Sequence, residues 1–161
     1  MRRYMNLIGK NAKKASLKKI STKAKNKILK RYASLLDKKK NSIITANSKD
    51  IKFALKKGLK KNLIDRLTIN HKKLNDIKSS INKIIKLKDP IDNTLEKWSR
   101  PNGLKIKRVS IPIGVIGVIY ESRPNVTSDV ASLCFKSGNA VILKGGSEAI
   151  NTNKILAKLF R

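Results

Sequence analysis

The chain has 161 residues, 40% of them apolar, which suits one domain with a hydrophobic core and excludes a wholly disordered tail. A single cysteine excludes an internal disulfide and a cysteine-based metal cluster, and no window approaches the roughly 18 apolar residues of a membrane span. The N-terminus does not have the pattern of a signal peptide, so we expect a cytoplasmic protein without a membrane anchor or a metal site.

The net charge of +29 raises the question of nucleic-acid binding. Eight of the 39 basic residues are arginine and the other 31 are lysine, whereas phosphate clamps and base-reading surfaces favour the planar fork of arginine. The chain is also rich in Ile and Asn and poor in Ala and Gly, as an AT-rich genome would produce. We interpret the charge as codon bias, and a basic nucleic-acid-binding module or a non-catalytic remnant remains the alternative function.

The first part of the chain is predicted to consist of amphipathic helices that end near residue 88. Apolar residues recur with helical spacing at positions 28, 29, 32, 35 and 36 and again at 74, 77, 81, 84 and 85. Ser21 or Thr22 is expected to cap the first of these helices, and Gly58 to end a helix that starts near Ser42. A short helical turn is expected at "LIDRL", and the Asp-Pro pair at 89–90 stops the last helix.

The pattern changes from helix to strand at about residue 95. Asn102-Gly103 is a strong hairpin-turn signal, and Leu104 and Ile106 alternate with lysines as in a half-buried strand. We therefore predict a hairpin over 95–110, with Trp98 packing close to it.

Residues 111–161 have the strand–helix–strand–helix order of a parallel α/β unit. The apolar runs at 115–120 and 140–143 have the composition of parallel strands covered on both faces. A helix over 126–137 is expected to end at Gly138, and a second helix, capped by Ser147, to run to Arg161. Two parallel strands leave open edges, so the sequence predicts the start of a doubly wound, Rossmann-like α/β sheet that is truncated at residue 161.

Ligands of such sheets bind beyond the carboxyl ends of the strands, and two loops of this chain fall there. In the first loop Pro124 stops the strand, and Asn125 follows at the helix start. The Asn125 side chain is either a plain N-cap or a hydrogen-bond donor to a developing oxyanion, and Thr127 is an alternative cap.

The second loop begins with Lys144, whose ammonium can reach over the crevice because it directly follows an apolar strand. Gly145-Gly146 would let the backbone approach a ligand closely. The segment is neither GxGxxG nor a phosphate-binding P-loop, and by itself Lys-Gly-Gly-Ser is more often a turn than a site.

Cys134, the one cysteine, is predicted to be a core residue and not a nucleophile. It lies in mid-helix on the apolar face, with no histidine close in sequence and no helix N-terminus to lower its pKa. The one histidine, His71, is expected to be exposed at a lysine-rich helix start.

These features together resemble a known family. Residues 100–153, from "RPNGLKI" to "EAINTN", closely resemble γ-glutamyl phosphate reductase, also called glutamate-5-semialdehyde dehydrogenase, of the aldehyde dehydrogenase superfamily. The upstream segments "ITANSKDI", "LIDRLTIN" and "IKLKDPID" are similar to the same family in the same order, so the resemblance covers essentially the whole chain. "GVIGVIYESRPNVT" is specific to the family, whereas "NAVILKGGSE" is shared with the superfamily. Asp92 stands where the family usually has glycine, and we expect only a local change in the turn.

The resemblance implies an oxidoreductase of proline biosynthesis that reduces L-glutamyl 5-phosphate, its small-molecule substrate, to glutamate 5-semialdehyde with NADPH. In the family a cysteine thiolate displaces phosphate, and hydride from NADPH then reduces the thioester. By position Asn125 matches an oxyanion-hole asparagine, and Lys144 matches the residue that meets the adenosine ribose of NADP or its 2′-phosphate. The resemblance also places Gly145, Gly146 and Ser147 in the turn beside the cofactor. It places Glu121 and Arg123 on the substrate side.

The resemblance also divides the chain. Residues 1–94 match the N-terminal helical segment of the cofactor domain, 95–110 a hairpin of oligomerisation-type strands, and 111–161 the first βαβα of the NADP-binding domain. The family's nucleophilic cysteine lies well beyond position 161, so the catalytic domain is expected to be absent. The resemblance implies that full-length relatives are homo-oligomers. These residues alone are expected to be inactive, unless a downstream reading frame supplies the rest.

Overall fold

The computed structural model describes residues 2–161, which form seven α-helices and four short strands. Five helices come first: α1 (Arg2–Ser16), α2 (Thr22–Lys38), α3 (Lys40–Lys56), α4 (Lys61–Leu67) and α5 (His71–Lys86). Then follow β1 (Thr94–Ser99), β2 (Lys105–Val109), β3 (Val115–Ile119), α6 (Pro124–Lys136), β4 (Ala140–Lys144), a 3₁₀ turn (Ser147–Ala149) and α7 (Ile150–Phe160). Across these residues, none of the helices is both long enough and apolar enough to cross a bilayer.

Helix ends follow the local signals of the sequence. Ser21 caps α2, because its hydroxyl accepts a hydrogen bond from the N–H of Ala24 at 3.3 Å. Thr22, the alternative cap, instead donates to Asp89. Gly58 and Gly138 follow α3 and α6 with φ angles of +69° and +71°, the left-handed conformation that ends a helix and suits glycine.

The main core is helical and lies among α2, α3, α5, α6 and α7. At its centre Tyr32 of α2 is 2% exposed, and its ring meets the edge of Phe160 at a centroid distance of 4.8 Å. Its hydroxyl forms a 2.6 Å hydrogen bond with that of Ser128 in α6. Burial raises the pKa of Tyr32 to about 12, so the phenol stays neutral at physiological pH. Apolar residues of the predicted stripes of α2 and α5 both contribute to this core.

Polar side chains of α3 bind the ends of other helices. Asp50 is buried and accepts hydrogen bonds from the N–H groups of Asn151 and Thr152 at 3.1 and 2.8 Å, at the start of α7. Asn47, also buried, donates to the carbonyl of Leu67 and accepts from the N–H of Ile69. These contacts satisfy backbone groups at two helix ends that would otherwise be buried without partners.

β3 and β4 form a parallel pair in which Val115 lies opposite Ala140 and Ile119 opposite Lys144. Both α1 and α6 contact this pair. The expectation that the run at 115–120 is covered on both faces is wrong here, because Ile119 is 83% exposed. Nothing in residues 2–161 packs over that position, since the sheet has only two strands.

β1 and β2 form the predicted antiparallel hairpin. At its turn Gly103 has a φ of +83°, and the N–H of Arg100 donates to the carbonyl of Leu104. The predicted half-burial is confirmed for Ile106, which lies between exposed lysines, but is wrong for Leu104, which is 56% exposed just before β2. Trp98 lies opposite Ile106 in the ribbon itself. Within residues 2–161 the two strands of the ribbon make their main contacts with each other.

Asp92 has a φ of +57°, the one positive value for a non-glycine residue among residues 2–161. Its N–H donates to the carbonyl of Ser110 at 2.9 Å, which joins the two ends of the hairpin. Aspartate adopts this left-handed conformation more readily than most residues, so the turn is kept where the resemblance expects glycine.

Candidate functional site

The two loops predicted to form a site leave the same end of the parallel sheet. The N–H of Tyr120 donates to the carbonyl of Lys144 at 3.1 Å, so the pairing of the strands continues one residue past Ile119. The segment 120–125 therefore starts beside the segment 144–149, and both lie at the carboxyl ends of their strands. This is the position where open parallel sheets bind ligands.

A serine and a glutamate join the two loops. Ser122 donates to Glu148 Oε2 at 2.9 Å, and Ser147 donates to Glu148 Oε1 at 3.0 Å. The pKa of Glu148 is lowered by a hydrogen bond from its own N–H and by the two serine hydroxyls, so its carboxylate stays ionised at neutral pH. The sequence pattern does not predict this contact between Ser122 and Glu148, because the two residues are 26 positions apart.

The predicted capping role of Ser147 is wrong. The chain enters α7 through the 3₁₀ turn, and the Ser147 side chain makes no capping hydrogen bond. The carboxylate of Asp50 takes that place, since it accepts from the first N–H groups of α7. A cap that comes from another helix leaves no signal next to Ser147 in the sequence.

Gly145 and Gly146 are glycines because the two loops touch there. A Cβ on Gly146 would lie 2.5 Å from Ser122 Oγ and 2.9 Å from Glu148 Oε2. A Cβ on Gly145 would lie 2.9 Å from the ring of Tyr120. In this structure the protein's own side chains pack closely against the two glycines, where the sequence analysis expected a ligand.

A short chain of hydrogen bonds lies beneath the loops. Thr127 is buried, its hydroxyl donates to Asn153 Oδ1 at 2.9 Å, and it lies 2.6 Å from the hydroxyl of Tyr120. Because the one proton of Thr127 is engaged with Asn153, Tyr120 is the donor in the second bond. Burial raises the pKa of Tyr120, although the contact with Thr127 opposes this, so the phenol keeps that proton. Thr127 therefore links α6 to Tyr120, the residue after β3, and to Asn153 in α7, and it is not a helix cap.

Asn125 is the second residue of α6 and not its N-cap. The helix begins at Pro124, and Arg123 occupies the cap position without a side-chain capping bond. Asn125 is half-buried, and its Nδ2 donates to Asp129 Oδ2 at 3.3 Å. An amide nitrogen carries two hydrogens, and within residues 2–161 the second has no acceptor. The cap interpretation is thus wrong, and the side chain keeps a donor at the helix start.

Glu121 and Arg123 are brought together, and a third residue joins them. Arg123 Nε lies 2.7 Å from Glu121 Oε1, and Arg66 Nη1 lies 3.4 Å from Glu121 Oε2. Arg66 comes from the last turn of α4, 55 residues before Glu121. Sequence reasoning missed Arg66 because no local pattern connects the end of a short helix to a distant strand.

Lys144 and Cys134 have contrasting surroundings. Lys144 is exposed, and among residues 2–161 no side-chain hydrogen bond or ion pair holds its ammonium. Cys134 is buried in α6, and burial raises the pKa of its thiol. It lies nine residues after Asn125, about 13.5 Å along the helix at 1.5 Å per residue. The prediction that Cys134 is a core residue is confirmed.

Comparisons of sequence and of structure with known proteins found the same kind of relative. No protein-family model matches the chain. Over 152 residues it is 50% identical to γ-glutamyl phosphate reductase of Halothermothrix orenii, an alignment that covers 93% of this chain and 36% of that protein. The chain spans about a third of the length of the curated relatives it matches.

Solved structures agree with the sequence relatives. The crystal structure of γ-glutamyl phosphate reductase from Thermotoga maritima superposes with a TM-score of 0.90 at 41% identity, over 94% of this chain and 37% of that one. A putative aldehyde dehydrogenase from Bacillus subtilis superposes with a TM-score of 0.64 at 18% identity, over 93% of this chain and 31% of that one. The second likeness is one of fold alone, and it agrees with the predicted aldehyde dehydrogenase-like α/β class.

Proposed function

The chain corresponds in sequence and in fold to the N-terminal portion of γ-glutamyl phosphate reductase, and we propose that it forms part of the nucleotide- and substrate-binding edge of such an enzyme. The reaction is the reduction of L-glutamyl 5-phosphate by NADPH to glutamate 5-semialdehyde, with release of phosphate and NADP⁺. The observation that carries the proposal is the match over nearly the whole chain, together with the two loops that meet at the carboxyl end of the sheet.

Lys144 fits the role of a cofactor ligand. Its ammonium is exposed at the end of β4, without a partner in residues 2–161, and it can meet the 2′-phosphate of NADPH. The neighbouring segment Gly145–Ser147 supports it, because the close packing of Gly146 on Ser122 holds the two loops together. NADPH, when bound, supplies the hydride of the reaction. The chain's own residues bind and orient it.

Asn125 fits the role of a donor to the oxyanion that develops on the substrate carbonyl. It lies in the first turn of α6, where backbone N–H groups without helical acceptors also favour negative charge. A fixed amide donor of this kind typically accelerates acyl transfer by about 10²–10³-fold. We assign Glu121 and Arg123 to the substrate side of the same loop.

The described residues do not include a thiol suited to forming the thioester. Cys134 is buried, its pKa is raised, and it lies too far along α6 from Asn125. We therefore propose that a further polypeptide segment supplies the nucleophile. The proposed organisation keeps 1–94 and 111–161 in the cofactor domain and 95–110 as strands for an oligomer contact.

Cofactor binding tests the proposal directly. NADPH titrated into the chain should bind saturably, followed by its fluorescence, and Lys144→Ala should weaken binding by about tenfold because a charge-assisted contact to phosphate is lost. The loss should be smaller for NADH, which has no 2′-phosphate. Lys105→Ala removes the same charge from the exposed ribbon and should leave both affinities unchanged.

Activity is tested in the oxidative direction. With glutamate 5-semialdehyde, phosphate and NADP⁺, the chain alone should form no NADPH, read at its absorbance band, because the thioester-forming thiol is not among its residues. Turnover by these residues alone would contradict the proposed division of labour. Equal loss of NADPH binding in the Lys144 and Lys105 variants would contradict the role of Lys144.

A further inference from the structure

Just beyond the end of β3 lies a group of three charges, one of which, Arg66, has no role in the proposed function. Arg66 from α4 and Arg123 from the start of α6 both lie against the single carboxylate of Glu121. All three side chains are about half exposed. The group has one negative and two positive charges, so it keeps an excess positive charge at the edge of the candidate site.

The donors of the two guanidinium groups are largely unused. Arg66 reaches Glu121 through Nη1 alone, at 3.4 and 3.5 Å, which is long for a charge-assisted hydrogen bond. Arg123 Nε is close to Glu121 but is not aligned with it, and it is buried without a hydrogen-bond partner within residues 2–161. Each guanidinium carries five N–H donors, so most of the donors of this group remain available to a ligand.

We infer that Arg66 and Arg123 form a clamp across Glu121 for an anionic group of the substrate, either a carboxylate or a phosphoryl group. The inference rests on the proposed function, since L-glutamyl 5-phosphate carries both kinds of group. Paired arginine forks bind such planar or tetrahedral oxyanions through two parallel hydrogen bonds. Arg66 is thereby a substrate-binding residue that lies outside both loops of the sheet.

Glu121 has a defined part in this arrangement. Its carboxylate holds the two guanidinium groups near each other while no substrate is bound, because it attracts both. It also competes with an incoming anion for the same donors. A half-exposed ion pair of this kind contributes little to folding, so stability alone does not account for the arrangement.

Anion titration of the whole chain tests the clamp. The Nε–H signals of Arg66 and Arg123 are followed by ¹⁵N NMR at constant ionic strength, with L-glutamate as the carboxylate probe and inorganic phosphate as the phosphoryl probe. We expect a saturable shift of both signals with one of the two probes, and that probe identifies the group that the clamp holds. The absence of a saturable shift with either probe would overturn the inference.

Substitutions separate the clamp from the general basic charge of the molecule. Arg66→Gln should weaken binding by about tenfold, the usual cost of one charge-assisted contact. Arg66→Lys should weaken it nearly as much, since lysine keeps the charge but loses the fork. Glu121→Gln should strengthen binding, because the competing carboxylate is removed.

Arg108→Gln is the matched control. Arg108 pairs with Glu96 at 3.6 Å on the exposed ribbon, so the change removes the same charge and a similar ion pair away from the site. Equal effects of the Arg66 and Arg108 changes would overturn the clamp. Failure of the unchanged chain to bind NADPH would contradict the proposed function, and the anion titration would still test the clamp. A lack of anion binding in a chain that binds NADPH would contradict the clamp alone.

Discussion

Two lysines of this basic chain are buried, and each is held by specific oxygen atoms. Lys25 is 3% exposed and lies 2.9 Å from Asp89 Oδ2. Lys136, also 3% exposed, donates to Asn26 Oδ1 at 2.7 Å and to the carbonyl of Ile85 at 3.0 Å. A buried ammonium without such partners would cost several kcal/mol, so these oxygens decide where the chain tolerates lysine in its interior.

Replacing Asp89 should destabilise the fold in a pH-dependent way. Burial alone would raise the pKa of Asp89, but hydrogen bonds from Lys25, Thr22 and the N–H of Ile91 outweigh it and hold the pKa below its usual value. Asp89→Asn should lower the free energy of unfolding at pH 7 by about 3 kcal/mol, because Lys25 is left buried without its counter-charge. Urea unfolding measures the difference.

The direction of that shift sets the pH window. A lowered pKa in the folded state means that the carboxylate stabilises the fold above its unfolded pKa of about 3.9, and that this contribution is lost as the pH falls through the lower, folded value. The difference between wild type and Asp89→Asn should therefore shrink in that acid range. Asp37→Asn is the control, since its pair with Lys78 is exposed and should contribute little to stability. Equal losses in both variants would contradict the role of Asp89.

At the scale of elements, we expect a glycine-to-alanine change to have opposite effects on stability in the loop after β4 and in α1. Gly145→Ala should destabilise the chain by about 1–3 kcal/mol, because the new methyl group presses on Asn153 and on the ring of Tyr120. Gly9→Ala should stabilise it by about 0.5–1 kcal/mol, since Gly9 lies within α1 and nothing lies within 4 Å of an added Cβ. Thermal unfolding of both variants gives the comparison. A neutral Gly145→Ala would show that the loops can separate without cost.

Elements were predictable from the sequence where their signals are local. Ser21 lies next to the helix that it caps, Gly58 and Gly138 follow the helices that they end, and Asn102-Gly103 lies in its own turn. The contacts that build the candidate site are not local. Arg66 and Glu121 are 55 residues apart, and a periodic pattern contains no information about which helix end approaches which strand.

At the scale of the whole molecule, the charge is spread over exposed lysines of the helical part. With a net charge of +29 the chain should bind DNA at low salt by counterion release and lose that binding steeply as salt rises. Duplexes of A·T and G·C pairs should bind equally, because lysines on helix surfaces do not read base edges. Fluorescence anisotropy across a salt series measures both effects. A sequence preference that persists at about 0.2 M salt would favour the nucleic-acid-binding alternative.

The class of fold was predictable from the sequence, but the burial of individual strand residues was not. The parallel pair β3–β4 and its helices follow from apolar runs and glycines. The exposure of Ile119 and Leu104 depends on which elements lie next to them, and a strand's own composition does not contain that information. Residues 120–139 carry no net charge, with two acidic and two basic side chains, and within this segment α6 packs on helices α2, α5 and α7 as well as on β4.

The carboxylate of Asp50 also has a consequence for synthesis of the chain. Its hydrogen bonds to Asn151 and Thr152 join residues 101 and 102 positions apart. At a translation rate of about 5–20 residues per second, α3 leaves the ribosome roughly 5–20 s before its partner helix does. During that interval the buried face of α3 is open to water and to chaperones. The helical core can therefore close only after the start of α7 has emerged.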